Sequence, residues 1–212
     1  MRLSRRAALA GLLSTGLAAH ATPARAKPRD LPPDPTPIDV LARRLPGFRH
    51  GSDERRHGAF EWIGGLELRS PDPAFGGLSG IALDAAGQRL LAISDAGIWL
   101  EARIATEGLV PVAITDARLC PMRGLDGTLL AGRPPGDAEA LAVRDGIAHV
   151  AFEGFGRVLA YPRARGPTAV PTLVETTPDL RQLARSRGIE AMTFLGGEGA
   201  RRGALLLIAE DP

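Results

Sequence analysis

The sequence predicts an all-β fold. Short apolar runs alternate with Gly, Asp and Pro turns along most of the chain. One hairpin pattern recurs three times. A single stretch, Thr177 to Gly188, has helical character, with Pro178 at a first-turn position and Gly188 as a stop.

The strands are expected at Phe60–Leu68, Gly80–Leu83, Arg89–Ser94, Ile98–Ile104, Val110–Leu119, Ala140–Val143, Ile147–Phe152, Val158–Tyr161, Met192–Leu195 and Ala204–Ala209. The repeat is carried by "GLSGIALDAAGQRLLAISDAG", "DAEALAVRDGIAHVAFEG" and "GIEAMTFLGGEGARRGALLLIAED". Each has a small or acidic residue at its opening, a short apolar strand, a turn through Gly, and a second strand ended by a carboxylate. The openings Ser79, Glu139 and Glu190 are spaced roughly 50–60 residues apart, near the period of β-propeller blades. Segments between the hairpins, such as Ile98–Leu119, would supply the outer strands. With Asp145-Gly146 as turn centre, Arg144 faces Ile147, and counting back places Glu139 opposite Phe152.

That folding gathers acids on one rim: Glu139 with Glu153, Ser79 with Asp95, Glu190 with Glu210. Asp137 joins them. Clustered carboxylates repel unless a cation neutralises them. Calcium, which takes six to eight oxygens, suits such a ring. Asp95, Asp137, Glu139, Glu153, Glu190 and Glu210 are therefore the candidate metal ligands. Any one of these acids, taken alone, reads better as a solvated strand end or an acceptor of a turn N–H than as a ligand; the set, recurring at matched positions, favours a shared site. Ser79, Arg123 and Arg133 are candidate substrate-binding residues, the arginines by bidentate pairing with an anion. Ser79 has no histidine partner and no nucleophile elbow, which favours a turn role over a nucleophilic one. The catalytic residues stay unassigned.

Residues 1–26 read as an export leader: Arg5-Arg6 before an Ala- and Leu-rich run, then Ala24-Arg25-Ala26 as a cleavage site. The paired arginines suggest the twin-arginine export machinery as a partner, with an ordinary secretory signal as the alternative. Either route delivers the protein to the periplasm or outside the cell. The leader holds four arginines and no acid, so the +2 of the whole chain becomes −2 without it. Nothing in that balance calls for nucleic acid, and no stretch is apolar enough for a stable membrane span. Residues 27–37 are a Pro-rich linker, and 38–212 form the folded domain. The lone Cys120 excludes an internal disulfide and reads as a small buried residue.

The stretches "FGGLSGIALDAAGQRLLAISDAGIWL", "LAGRPPGDAEALAV", "VAFEGFGRVLAYP" and "RGIEAMTFL" occur in an order that resembles the exported phytase-like family, also called esterase-like activity of phytase. The resemblance covers roughly Trp62 to Pro212. It implies a β-propeller and hydrolysis of phosphate or carboxylate esters; by looser analogy with β-propeller phytases, it implies calcium dependence. The chain departs from the pattern at Ala140, where Gly is frequent, and at Gly154-Phe155-Gly156, where a more basic stretch is usual. At roughly 50 residues per blade the part after the leader holds fewer than four blades. The expectation is thus an incomplete propeller of about three to four blades, C-terminally truncated. A non-catalytic ligand- or protein-binding propeller and a lactonase-like propeller enzyme are the alternatives to the ester hydrolase.

Overall fold

The computed structural model describes residues 31–132, 136–153, 156–177, 179–180, 188–199 and 201–209. The strands are β1 (Thr36–Pro37), β2 (Leu41–Arg44), β3 (Arg56–His57), β4 (Phe60–Glu61), β5 (Leu66–Arg69), β6 (Leu78–Leu83), β7 (Arg89–Ser94) and β8 (Ile98–Glu107). They continue with β9 (Val110–Pro121), β10 (Ala138–Arg144), β11 (Ile147–Phe152), β12 (Arg157–Pro162), β13 (Thr172–Val174), β14 (Ile189–Phe194) and β15 (Leu205–Ala209). A 3-10 turn spans Arg163–Arg165. Among the described residues, no helix is long and apolar enough to cross a membrane.

The chain is all-β, and its sheets are antiparallel. A first meander runs β6-β7-β8-β9, with β1 added beyond β9. A second runs β10-β11-β12-β13, and β14-β15 form a third hairpin. β2 pairs with β5 and β3 with β4 in two small ribbons. The leading strand β10 lies against β6 on one side and β14 on the other. Gly80 permits the first approach: a Cβ there would stand 2.8 Å from Leu141 Cβ and 2.9 Å from Ile93 Cγ1.

Period-two alternation assigns the faces. Leu91, Ile93 and Trp99 of the first meander bury against Leu141, Val150, Phe152, Leu159 and Tyr161 of the second. Ala140, Ala142 and Val158 pack against Ile189 and Met192 of the third hairpin. Each fully buried large side chain contributes about 1.5–3 kcal/mol. Across the first interface the Tyr161 hydroxyl donates to the Arg123 carbonyl at 2.8 Å. Burial holds that phenol above its ordinary range, so it remains a donor. Tyr161→Phe is expected to cost about 1–2 kcal/mol, read as a lower urea midpoint with an unchanged slope.

Several sequence expectations change. The Phe60–Leu68 strand is broken: β4 and β5 pair with different partners on either side of Trp62–Gly65. The Pro-rich linker over 27–37 is folded at its end, because Thr36 and Pro37 pair with Leu119 and Arg118 of β9. Proline is tolerated there since β1 is an edge strand. Leu31 and Ile38 cover the apolar face made by Leu90, Ala92, Ile98 and Leu100. The helix expected over 177–188 falls largely outside the described residues. Cys120 is buried, and burial pushes its thiol up to about 11, so it is inert.

Candidate metal centre

The acidic rim is built by bulges. In β6 the pairing steps from Leu78↔Ser94 to Gly80↔Ile93, leaving Ser79 as the extra residue. In β10 it steps from Ala138↔Phe152 to Ala140↔Ala151, leaving Glu139. In β14 it steps from Ile189↔Ala209 to Ala191↔Ile208, leaving Glu190. Glu139 therefore does not pair with Phe152, although Arg144 does face Ile147. The turn matches its residues: Asp145 and Gly146 both have positive φ, 50° and 74°. The one-residue insertion further along the strand breaks the simple count. Bulges of this kind re-aim side chains and are frequent beside functional sites.

Backbone bonds extend two of the hairpins past the bulge. The Asp95 N–H donates to the Gly77 carbonyl at 2.9 Å, and the Glu153 N–H to the Asp137 carbonyl at 2.8 Å. These bonds place a carboxylate-bearing residue at the same position in each hairpin.

Asp137, Glu139 and Glu153 converge. One carboxylate oxygen from each lies within 4.8 Å of the others, and all three residues are half-buried. Burial chiefly raises the Glu139 carboxyl to about 7, followed by the charge of Asp137 and a hydrogen bond with it. Glu190 and Asp95 raise it further. Both thus lie within electrostatic reach of Glu139.

The other candidates are placed differently. Ser79 donates its hydroxyl to the Ala138 carbonyl, a tie between β6 and β10. Arg123 donates to the Gly127 carbonyl at 3.0 Å, within its own loop. Arg133 and Glu210 lie outside the described residues. Gly188 is a participant the sequence reading missed, taken there only as a helix stop. It lies against Glu153, where a Cβ would meet Glu153 Cγ at 2.8 Å.

The family model described as "Phytase-like: Esterase-like activity of phytase" matches residues 73–212. The chain belongs to the phytase-like family. No curated protein and no solved structure matches it. The phytase-like region takes in both meanders, the third hairpin and every residue of the acidic cluster, while β1 to β5 precede it.

Proposed function

We propose that this phytase-like chain is an exported hydrolase of phosphate or carboxylate esters, with calcium held by Asp137, Glu139 and Glu153. The observation that supports it most is the convergence of these carboxylates at bulged strand ends. Calcium–oxygen bonds of about 2.3–2.6 Å allow two ligand oxygens to stand up to about 5 Å apart, and the 4.8 Å span fits that limit. Bound there, the cation would polarise a phosphoryl or acyl oxygen and acidify a bound water. Glu139 would release its proton to admit it. Asp95 and Glu190 would add to the negative field that attracts it.

On this reading the two meanders and the third hairpin are successive blades of a β-propeller over 38–212. β6, β10 and β14 are its innermost strands, and the acidic rim sits at one mouth of the central channel. Residues 1–26 are the twin-arginine leader, and the protein works in the periplasm or outside the cell on a small ester or phosphoester.

The test is unfolding of the chain from Lys27, with calcium and with a chelator, followed by turnover of aryl phosphates, aryl esters and lactones. Calcium at about 100 times its Kd should raise stability by about 2.7 kcal/mol. Calcium-dependent turnover of an ester supports the hydrolase. A preference for lactones favours the lactonase-like alternative, and calcium binding without turnover favours the binding module. A transition indifferent to calcium removes the metal from the proposal.

A methyl group at residue 188 probes the same site indirectly. Gly188→Ala is expected to displace the Glu153 side chain and weaken calcium binding by roughly tenfold, read by calorimetry. Unchanged affinity would take Glu153 out of the ligand set.

A further inference from the structure

A second site lies at the opposite end of the core between the two meanders, about 10–17 Å from the acidic rim along β6. Here a cavity of about 370 Å³ opens beside the β6–β7 turn. Its size falls in the range of small-molecule pockets. Register explains its lining. Ala82, Leu91, Glu101 and Arg118 stand opposite one another in a single row across four strands. Arg89 and Arg103 face each other two residues along β7 and β8. All point to the face covered by the second meander, which adds Val143 and Arg163 to the lining.

The charges in this pocket do not balance locally. Glu101 is the natural cross-strand partner of Arg118, but Arg163 reaches over from the second meander and takes it. Arg118 is left with no ion-pair partner among the described residues. Arg89 and Arg103 are like charges directly opposite, an unfavourable pairing unless an anion lies between them. Their own contacts are long: 3.8 Å from Arg89 to Asp84 and 3.5 Å from Arg103 to Asp116. Asp84 is moreover committed to the backbone N–H groups of Gln88 and Arg89, at 2.8 and 3.0 Å. Below these guanidinium groups lies an apolar floor of Ala82, Leu91 and Val143.

We propose that this pocket binds a small amphipathic anion, an aryl or alkyl phosphate, phosphonate or carboxylate. Its head group sits on Arg89, Arg103 and Arg118 and its apolar body on the floor. Guanidinium groups grip such heads bidentately and do not titrate away. The site is independent of the acidic rim and of any chemistry there.

Phenylphosphonate, which cannot be hydrolysed, is the probe. It is titrated calorimetrically into the full chain in the presence of a chelator, beside inorganic phosphate. We expect saturable binding with a Kd below about 1 mM, weakening as salt rises. The double variant Arg103→Gln/Arg118→Gln should bind at least about tenfold more weakly. Glu139→Gln should bind as the parent does. The substituted arginines are solvent-exposed, so the fold should survive, and Arg89→Gln alone provides a second reading. Absence of saturable binding overturns the proposal. So does equal affinity in the double variant, loss of binding in Glu139→Gln, or inorganic phosphate binding as tightly as phenylphosphonate.

Discussion

Replacing Glu139 by Gln should make the calcium-free protein more stable at pH 8 and abolish its stabilisation by calcium. The carboxyl titrates at about 7 in the folded chain, against 4.5 as its ordinary value. Between those values the folded state holds a proton that the unfolded state has released. Unfolding free energy therefore falls as pH rises through this window, and the full penalty is present above about pH 7. Because the group is partly solvated, the penalty is about 1–2 kcal/mol after allowance for screening. A glutamine removes the charge and with it the penalty. In calcium the sign reverses, since the wild type gains a ligand that the variant holds poorly. The metal must also displace the proton, so calcium affinity in the wild type should decline as pH drops below about 7. Urea unfolding at pH 5, 6.5 and 8, with calcium or chelator, checks all three. Equal stability of the two calcium-free proteins at pH 8 would mean that Glu139 is well solvated and the cluster looser than its geometry indicates.

The three hairpins, and the positions of Asp95 and Glu153 at the ends of two of them, were legible because apolar alternation and turn chemistry such as Asp145-Gly146 are local signals. The matched positions of Ser79, Glu139 and Glu190 were legible for the same reason. That each is a bulge residue was not, because a bulge depends on the partner strand and leaves the pattern of its own strand almost unchanged. β2, "LARR", is largely exposed and carries no apolar alternation, so nothing marked it as a strand. Thr36-Pro37 looked like linker because its pairing exists only against the remote β9. The Arg163–Glu101 pair joins residues 62 positions apart, and only the packing of one meander on the other brings them together. Local chemistry was thus readable, whereas contacts between sheets needed the fold.

Trp99→Ala is expected to have the largest effect on stability, about 3–5 kcal/mol. Trp99 is 1% exposed in the interface between the meanders. Tyr161 meets it edge-on, with ring centroids 5.2 Å apart and planes at 86°. The Arg163 guanidinium carbon lies 5.8 Å from its ring centroid, and the same guanidinium binds Glu101. Truncation removes the buried area, opens a cavity and strips the seat from an ion pair that ties the two sheets. Against a typical total stability of about 5–15 kcal/mol, that loss takes a large share. Trp99→Phe should cost much less than the alanine variant. The indole Nε1 is buried with no hydrogen-bond partner among the described residues, so phenylalanine keeps most of the packing and removes an unsatisfied donor. Phe152 belongs to the same core and directly precedes Glu153, so loosening by Trp99→Ala should also weaken calcium binding. Guanidinium unfolding of the three proteins ranks them. A Trp99→Ala cost below about 1 kcal/mol, far under the range for a buried Trp, would show that the meanders are not held together through this side chain.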